Sequence, residues 1–306
     1  MSLRLRLLNL GLRLFEKPFL ARVATPQEVR AGFLRKARWY FHPPRGTSYS
    51  KVTLAAAREI EAIGVRCGAV REDAVLLYFH GGGYVFGAPE THKAMLARLS
   101  REAGMAAVLP RYRLAPEHPF PAAPEDARAA WDGLVATGVA PERIVLGGDS
   151  AGGGLALSLL AALLQEGVRP AGCFAFSPLT DLTVSGGSMT ENVQSDVILP
   201  ASRAQEMAGF FLAGADPADP RASPLFADFT GAPPVWLTVG NTEILRDDTL
   251  RLADRLLAQK VAVTLEVQKN HPHVWLIFQT FLPEARATLA DLGTWIRRVL
   301  EPADGN

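Results

Sequence analysis

From Val75 onward, short apolar runs alternate along the chain with longer segments of helical periodicity. Each run has the length of a strand, and most are too continuously apolar to leave one face in solvent. The alternation predicts an α/β fold, with helices flanking a mostly parallel central sheet. The predicted strands are residues 75–79, 106–109, 143–146, 173–176, 235–239 and 261–267. The predicted helices are residues 92–103, 124–137, 151–166, 246–259 and 283–300.

Two stretches depart from this alternation. Residues 1–45 have a helical pattern that ends in HPPRG, and residues 181–224 form a polar, then apolar, then Asp/Pro-rich insertion between two predicted strands. We expect a helical cap made of N-terminal helices at 1–45 and a cap insertion at 181–224, over a catalytic domain at 46–306.

The Leu-rich N-terminus is interrupted by Arg13, Glu16 and Lys17 before it reaches the length of a signal-peptide core or a membrane span. This pattern favours an amphipathic helix packed on the protein, and a membrane-surface or oligomer-contact helix is the alternative. The sequence therefore predicts no stable membrane insertion, and it leaves a homodimer open.

Composition narrows the classes of partner. The chain has 306 residues, of which 48% are hydrophobic, enough to bury a large core. Lys and Arg number 32 against 31 Asp and Glu, so the formal charge is only +1 and nucleic acid is not an expected partner. A neutral or apolar small molecule fits better. Cys67 and Cys173 are too few for a disulfide framework and indicate buried thiols in the cytoplasm.

The predicted strand RIVLG leads directly into a G-x-S-x-G motif, residues 148–152, and then into an apolar helix. This strand–turn–helix context is typical of a nucleophile elbow, in which small flanking residues let Ser150 adopt a strained backbone angle. A glycine-rich phosphate loop is the alternative, but the chain lacks the G-x-x-x-x-G-K-[ST] spacing here. Ser150 is therefore the candidate nucleophile.

A second glycine motif, His80-Gly81-Gly82-Gly83, follows the predicted strand VLLYF. It matches the HGGG loop that supplies oxyanion-hole donors in esterases and lipases. A merely flexible turn is the alternative, although three glycines after a buried strand cost conformational entropy unless the backbone must approach a ligand closely. His80 is expected to orient this loop rather than to act as a base.

These two motifs, together with YRLAPE at residues 112–117 and FPA at residues 120–122, resemble the bacterial hormone-sensitive-lipase family of esterases. The resemblance extends over roughly residues 70–280. It implies an α/β-hydrolase fold, a small-molecule ester substrate with a short to medium acyl chain, and no cofactor. It also implies that the backbone N–H groups of Gly82, Gly83 and Ala151 form the oxyanion hole.

The chain order Ser–acid–His places the general base near the C-terminus. His271 and His273 both qualify, in the segment NHPHVW. The family pattern resembles Pro-His-Val-Trp, which matches His273, and Pro272 stiffens the backbone before it. His273 is therefore the predicted base, with His271 as the alternative.

Three carboxylates follow the predicted strand VWLTV and are candidates for the triad acid: Glu243, Asp247 and Asp248. The family usually has an Asp about thirty residues before the base, and here Glu243 occupies that position. Glu can also fix the imidazole tautomer and stabilise the imidazolium. Glu243 is therefore the predicted acid, and Asp247 is the main alternative. Asp247 and Asp248 could also be a structural charge pair that the helix dipole favours at a helix N-terminus.

Aromatic residues near the motifs are candidates for the substrate pocket, and Tyr84, Phe210 and Phe211 are the predicted substrate-binding residues. No His/Cys/Asp cluster has zinc spacing and no cofactor motif is present, so we expect neither metal nor cofactor. The sequence thus predicts a serine carboxylesterase. An amidase or peptidase with the same residues, or a non-catalytic binding protein on this scaffold, is the alternative.

Overall fold

The computed structural model describes residues 2–301. Its centre is one eight-stranded sheet with strand order β1-β2-β4-β3-β5-β6-β7-β8. The six strands β3 to β8 are parallel to one another. At one end of the sheet, β2 pairs antiparallel to β4 and β1 pairs antiparallel to β2. The strands are β1 (Thr47–Ala55), β2 (Glu59–Cys67), β3 (Arg71–Phe79), β4 (Met105–Pro110), β5 (Ile144–Asp149), β6 (Gly172–Phe176), β7 (Val235–Gly240) and β8 (Val263–Gln268).

The mostly parallel α/β architecture confirms the predicted fold class. The six predicted strands correspond to β3 through β8, with ends that differ by a few residues. The apolar-run pattern does not include β1 and β2, because most side chains of the edge strand β1 are exposed and β2 largely alternates between exposed and buried positions. A strand of this kind lacks the continuous apolar run of a buried parallel strand.

Helices cover both faces of the sheet. Alternate residues of β3 point to opposite sides, so that Leu77 packs in the core beneath α5 and α6 while Leu76 packs in the core beneath α4 and α10. This two-sided burial explains the unbroken apolar runs. The helices of the sheet layer are α4 (Pro89–Ala103), α5 (Ala122–Ala136), α6 (Ala151–Gln165), α9 (Arg246–Ala258) and α10 (Pro283–Leu300).

The N-terminal segment is helical, as its pattern predicts. It contains α1 (Leu3–Gly11), a π-helical turn (Leu12–Glu16), α2 (Lys17–Arg22) and α3 (Pro26–Tyr40). The Ser2 and Thr25 side chains cap α1 and α3 by accepting the N–H groups of Leu5 and Glu28. Met1 and residues 302–306, which the predicted segments 1–45 and 46–306 include, lie outside the described residues.

The insertion at 181–224 carries two short helices, α7 (Ser188–Glu191) and α8 (Ala204–Leu212). It is tied to the N-terminal segment by side chains of both: Lys17 Nζ donates to the carbonyls of Val193 and Asp196 at 2.7 Å, and Arg203 donates to the carbonyl of Val23 at 2.8 Å. Within the part of the chain that the structure describes, no helix is both long and apolar enough to cross a membrane.

Candidate active site

Ser150 lies in the tight turn between β5 and α6, with a φ of +52° that non-glycine residues rarely adopt. The turn is held by the Ser150 N–H, which donates to the Phe176 carbonyl on the adjacent strand at 2.8 Å. A Cβ on Gly148 would overlap the Gly152 carbonyl, and one on Gly152 would overlap the Phe79 carbonyl. The flanking glycines thus permit the close approach of backbone that places Ser150 at the cavity wall.

His273 follows β8 and carries a direct partner. Its Nδ1 lies 2.6 Å from Glu243 Oε2, and both side chains are buried. Burial by itself disfavours the imidazolium, but the charge of Glu243 and its hydrogen bond outweigh burial, so that the pKa of His273 lies above its ordinary value. The pair therefore fixes the tautomer and leaves Nε2 as the imidazole's free nitrogen.

Glu243 is itself tightly held in the loop after β7. Its Oε1 accepts the hydroxyl of Ser177 at 2.8 Å and the N–H of Gly240 at 2.5 Å. The insertion supports the backbone of this loop: Asn192 Nδ2 donates to the Glu243 carbonyl at 2.8 Å, and Asp196 Oδ2 accepts the N–H of Ile244 at 2.9 Å. Both carboxylate oxygens of Glu243 are thus engaged, one by the histidine and one by its supports.

The other acid candidates lie elsewhere, in the first turn of α9. Asp247 accepts the N–H of Ser188 at 2.9 Å and also pairs with Arg246. Asp248 accepts the N–H groups of Thr180 and Asp181 from a fully buried position. Neither contacts His273. Asp247 and Asp248 thus bond to the start of α9 and to backbone N–H groups of other segments instead of to His273.

His271 is placed differently from His273. Its Nδ1 lies 3.1 Å from the Lys269 carbonyl, and its ring meets the ring of Trp275 edge to face. Burial lowers its pKa, and no carboxylate is bonded to it among residues 2–301. The structure therefore brings His273, and not His271, to an acid.

Asp149, the residue before Ser150, anchors the HGGG loop. Asp149 Oδ1 accepts the Tyr78 hydroxyl at 2.6 Å and the Gly81 N–H at 3.0 Å, and Oδ2 lies 3.2 Å from His92 Nε2. Gly82 has a φ of +125°, and a Cβ there would overlap the Phe86 carbonyl. The side chain of Asp149 thus points away from His273 and couples the two glycine motifs.

The residues predicted to form the oxyanion hole lie at the cavity or beside it. Gly82 and Gly83 line the same cavity as Ser150 and His273. Ala151 is fully buried as the first residue of α6, where a backbone N–H has no partner within its own helix. His80 orients the loop through its ring, which stacks on Tyr112 at 4.4 Å, and burial lowers its pKa to about 3. A histidine with that pKa is neutral near pH 7 and is a poor proton acceptor.

The cavity has a volume of about 670 Å³ and mostly apolar walls. Side chains of the N-terminal segment and of the insertion both line it. Met207 of α8 lies so close to the HGGG loop that a Cβ on Gly83 would be 2.7 Å from its terminal methyl. The YRLAPE motif contacts the N-terminal segment, because Arg30 of α3 donates to Glu117 at 2.6 Å and to the Ala115 carbonyl at 2.7 Å.

Of the three predicted substrate-binding aromatics, only Phe210 lines this cavity. Tyr84 and Phe211 do not line it: their rings stack on each other at 3.9 Å, almost parallel, and both side chains are almost completely buried. Consecutive residues on a helix point in different directions, so Phe210 and Phe211 cannot share one wall. Tyr84 and Phe211 therefore join the body to α8.

Several supporting residues were not predicted from the sequence, namely Ser177, Asn192 and Asp196. Ser177 directly follows β6, and its position at the carboxyl end of a parallel strand is a signal that could have identified it. Asn192 and Asp196 lie in the irregular insertion, where no periodicity distinguishes them. Within residues 2–301 no group of three or more His, Cys, Asp or Glu side chains is arranged to hold a metal ion.

Comparison with known proteins agrees with this geometry. The model of the α/β-hydrolase fold family matches residues 76–277. An acetyl-hydrolase of Streptomyces hygroscopicus is 40% identical over 75% of this chain and 77% of its own length. The carboxylesterase/phospholipase LipF of Mycobacterium tuberculosis is 32% identical over 95% of this chain and 81% of its own.

Solved structures match over nearly the whole chain. An esterase from the bacterial hormone-sensitive lipase family has a TM-score of 0.91 and 36% identity, and the match covers 98% of this chain and 99% of that one. A hormone-sensitive lipase from a metagenome library has a TM-score of 0.88 and 31% identity, covering 96% and 98%.

The fold and the elbow define an α/β hydrolase. More specifically, the chain belongs to the bacterial hormone-sensitive-lipase family of esterases, as its motifs predict. It is a carboxylesterase, and its chemistry is the hydrolysis of carboxylic esters.

Proposed function

We propose that the protein hydrolyses short to medium acyl esters of small alcohols through a Ser150–His273–Glu243 triad and an acyl-enzyme intermediate. The observation that carries the proposal is the 2.6 Å contact between His273 Nδ1 and Glu243 Oε2, next to a cavity that Ser150 and His273 both line. Such a pair raises the basicity of the imidazole beside a candidate nucleophile.

In the first half-reaction, Ser150 Oγ attacks the carbonyl carbon while His273 takes its proton. The C–O bond to the alcohol then breaks, and the alcohol leaves with the proton that His273 returns. In the second half-reaction, His273 takes a proton from water and the resulting hydroxide attacks the acyl carbon. The bond between the acyl carbon and Ser150 Oγ then breaks, Ser150 regains the proton from His273, and the carboxylic acid leaves. Glu243 stabilises the imidazolium at each stage.

We assign the stabilisation of the negative charge that forms on the carbonyl oxygen to the backbone N–H groups of Gly82, Gly83 and Ala151. The position of Ala151 in the first turn of α6 supports this, because the positive end of a helix dipole favours an oxyanion. Each donor of this kind is worth about a hundredfold to a thousandfold in kcat.

The acyl range follows from the cavity and from the cap. A volume of about 670 Å³ is ordinary for a pocket that encloses a small organic ligand. The Streptomyces relative is named an acetyl-hydrolase, which supports activity at the short end of the range. We assign residues 1–45 and 181–224 to a cap over the acyl pocket, since side chains of both line it.

A series of p-nitrophenyl esters of rising acyl length tests the proposal, with Ser150→Ala as the triad variant. We expect kcat of the variant to fall about 10⁴-fold to 10⁶-fold with an unchanged circular-dichroism spectrum. Phe210→Trp should leave acetate turnover intact while lowering turnover of longer esters, because Phe210 lines the cavity. A folded Ser150→Ala protein that keeps most of its ester hydrolysis contradicts the triad, and faster cleavage of matched amides redirects the proposal to an amidase.

A further inference from the structure

The N-terminal segment has an apolar side that no residue from 2 to 301 covers. Leu5 and Leu12 are buried against the body, whereas Leu7 and Leu14, on the opposite side of the helix, are more than half exposed. The exposed leucines recur at helical spacing, so they form one stripe along the helix. We call it the cap face, and it consists of Leu3, Leu7, Leu10 and Leu14, extended by Phe15 and Tyr40.

The cap face is continuous with the mouth of the catalytic cavity. Leu7, Phe15 and Tyr40 are 60%, 75% and 60% exposed and at the same time line the cavity. Apolar side chains of this size are rarely left in water as a contiguous group unless they meet a partner.

The charge around this face is strongly asymmetric, although the whole chain is close to neutral. Residues 1–45 contain ten Lys and Arg but only Glu16 and Glu28 as acids, a formal charge of +8. Since the chain totals +1, the remaining residues carry −7. The basic charge is thus concentrated on the segment that bears the cap face.

Most of this basic charge is not neutralised locally. Arg6, Arg13, Arg35 and Arg38 are exposed, and none of them forms a salt bridge with any residue from 2 to 301. By contrast, Arg30 and Lys36 are paired with Glu117 and Glu16. Arginines that have no acidic partner among residues 2–301, beside exposed leucines, give the segment the composition of an interfacial amphipathic helix.

We propose that the cap face docks the protein on an anionic lipid–water interface, with the leucines and Phe15 in the acyl boundary and the arginines at the headgroups. Charge complementarity selects this partner over a second copy of the chain. A two-fold dimer through this face would bring two +8 segments together, which is unfavourable, whereas an anionic surface attracts each arginine.

Docking in this orientation places the cavity mouth at the lipid surface. A consequence, which rests on the proposed function, is that esters dissolved in the interface reach Ser150 without crossing water. Docking itself needs no turnover, so the two proposals fail separately.

Flotation with vesicles tests the docking. The full chain is mixed with phosphatidylcholine vesicles that contain phosphatidylglycerol, or with phosphatidylcholine alone, and the bound fraction is measured at low and at high salt. We expect binding to the anionic vesicles only, with a loss at high salt because surface attraction is screened. The Ser150→Ala variant should bind equally well.

Two variants separate the apolar and the basic contributions. Leu10→Ser/Leu14→Ser removes side chains that do not line the cavity, and Arg6→Gln/Arg35→Gln/Arg38→Gln removes three charges. The charge variant should weaken partitioning by about a hundredfold, at the usual strength of attraction per arginine. Both should hydrolyse p-nitrophenyl acetate as the wild type does, which shows that they are folded.

Matched controls carry the same changes away from the cap face. Leu257 is exposed on α9, and Arg101 and Arg298 are exposed without salt bridges among residues 2–301. The variants Leu257→Ser and Arg101→Gln/Arg298→Gln should therefore bind the vesicles like the wild type. Absence of flotation, or equal loss in the controls, overturns the proposal. So does a dimer in solution that Leu10→Ser/Leu14→Ser dissociates, which assigns the face to a second copy.

Discussion

Ser177 donates its hydroxyl to Glu243 Oε1 at 2.8 Å, and the same Ser177 oxygen accepts the N–H of Val274 at 3.3 Å. One buried hydroxyl thus connects the acid to the residue that follows His273. Ser177 has a φ of +45°, in the left-handed region, directly after β6. A strained, buried polar residue of this kind is held by its surroundings and is a candidate for positioning the triad.

We predict that Ser177→Ala lowers kcat by about tenfold to a hundredfold, the usual worth of a hydrogen bond to a charged group. KM for a short ester should change little, because Ser177 does not line the cavity. Ser158→Ala is the matched control, since its hydroxyl donates to the Arg221 carbonyl at 2.8 Å far from the triad. Equal kinetics of the two variants would remove Ser177 from the active site.

Glu243→Gln should lower kcat by about 10⁴-fold, since a neutral amide no longer holds the tautomer or stabilises the imidazolium. Asp247→Asn should stay within a few-fold of the wild type, as its partners are Ser188 and Arg246. The opposite ranking in steady-state kinetics would move the acid to Asp247.

The pH profile provides a separate test of the same pair. Glu243 raises the pKa of His273. The imidazolium, in which His273 cannot act as a base, therefore persists to higher pH. Removing the charge in Glu243→Gln should therefore shift the acid limb of kcat/KM to lower pH, even as the maximum falls. An acid limb at the same pH in both proteins would show that another group controls it.

Asp248→Asn should preserve turnover but change how stability depends on pH. Burial raises the pKa of Asp248 to about 7, above its ordinary value. A carboxyl whose pKa is higher in the folded state contributes stability that is full below about pH 4 and lost as pH rises through about 7. The Tm of the variant relative to wild type should thus rise between about pH 5 and pH 8. A constant difference would contradict this.

Phe210→Ala and Phe211→Ala are adjacent substitutions with opposite expectations. Phe211 is buried against Tyr84, so its loss should lower the free energy of unfolding by about 3–5 kcal/mol. Phe210 lines the cavity and is only partly buried, so its loss should alter acyl-length preference with little effect on Tm. Denaturant unfolding and the ester series measure the two effects, and equal destabilisation by both would place Phe210 in the core.

Much of the site could be predicted because its constraints are local. The elbow at Ser150 and the loop at Gly82 need small residues within a few positions, where backbone would otherwise collide, so their sequences are recognisable without a fold. The strands β3 to β8 are recognisable for a similar reason, since burial on both faces requires continuous apolar runs. The chain order of nucleophile, acid and base then leaves few candidates for His273.

Other features depend on contacts between distant segments. The sequence offered three carboxylates after β7, and only the fold brings Glu243 to His273 while Asp247 and Asp248 bond to the insertion and the loop after β6. Ser177 likewise lies 66 residues from the acid it supports. Tyr84 and Phe211 were expected at the pocket, but an aromatic side chain stabilises a core and a pocket wall by the same burial of apolar area. Which of the two it joins depends on how the cap packs on the body, and no local pattern encodes that.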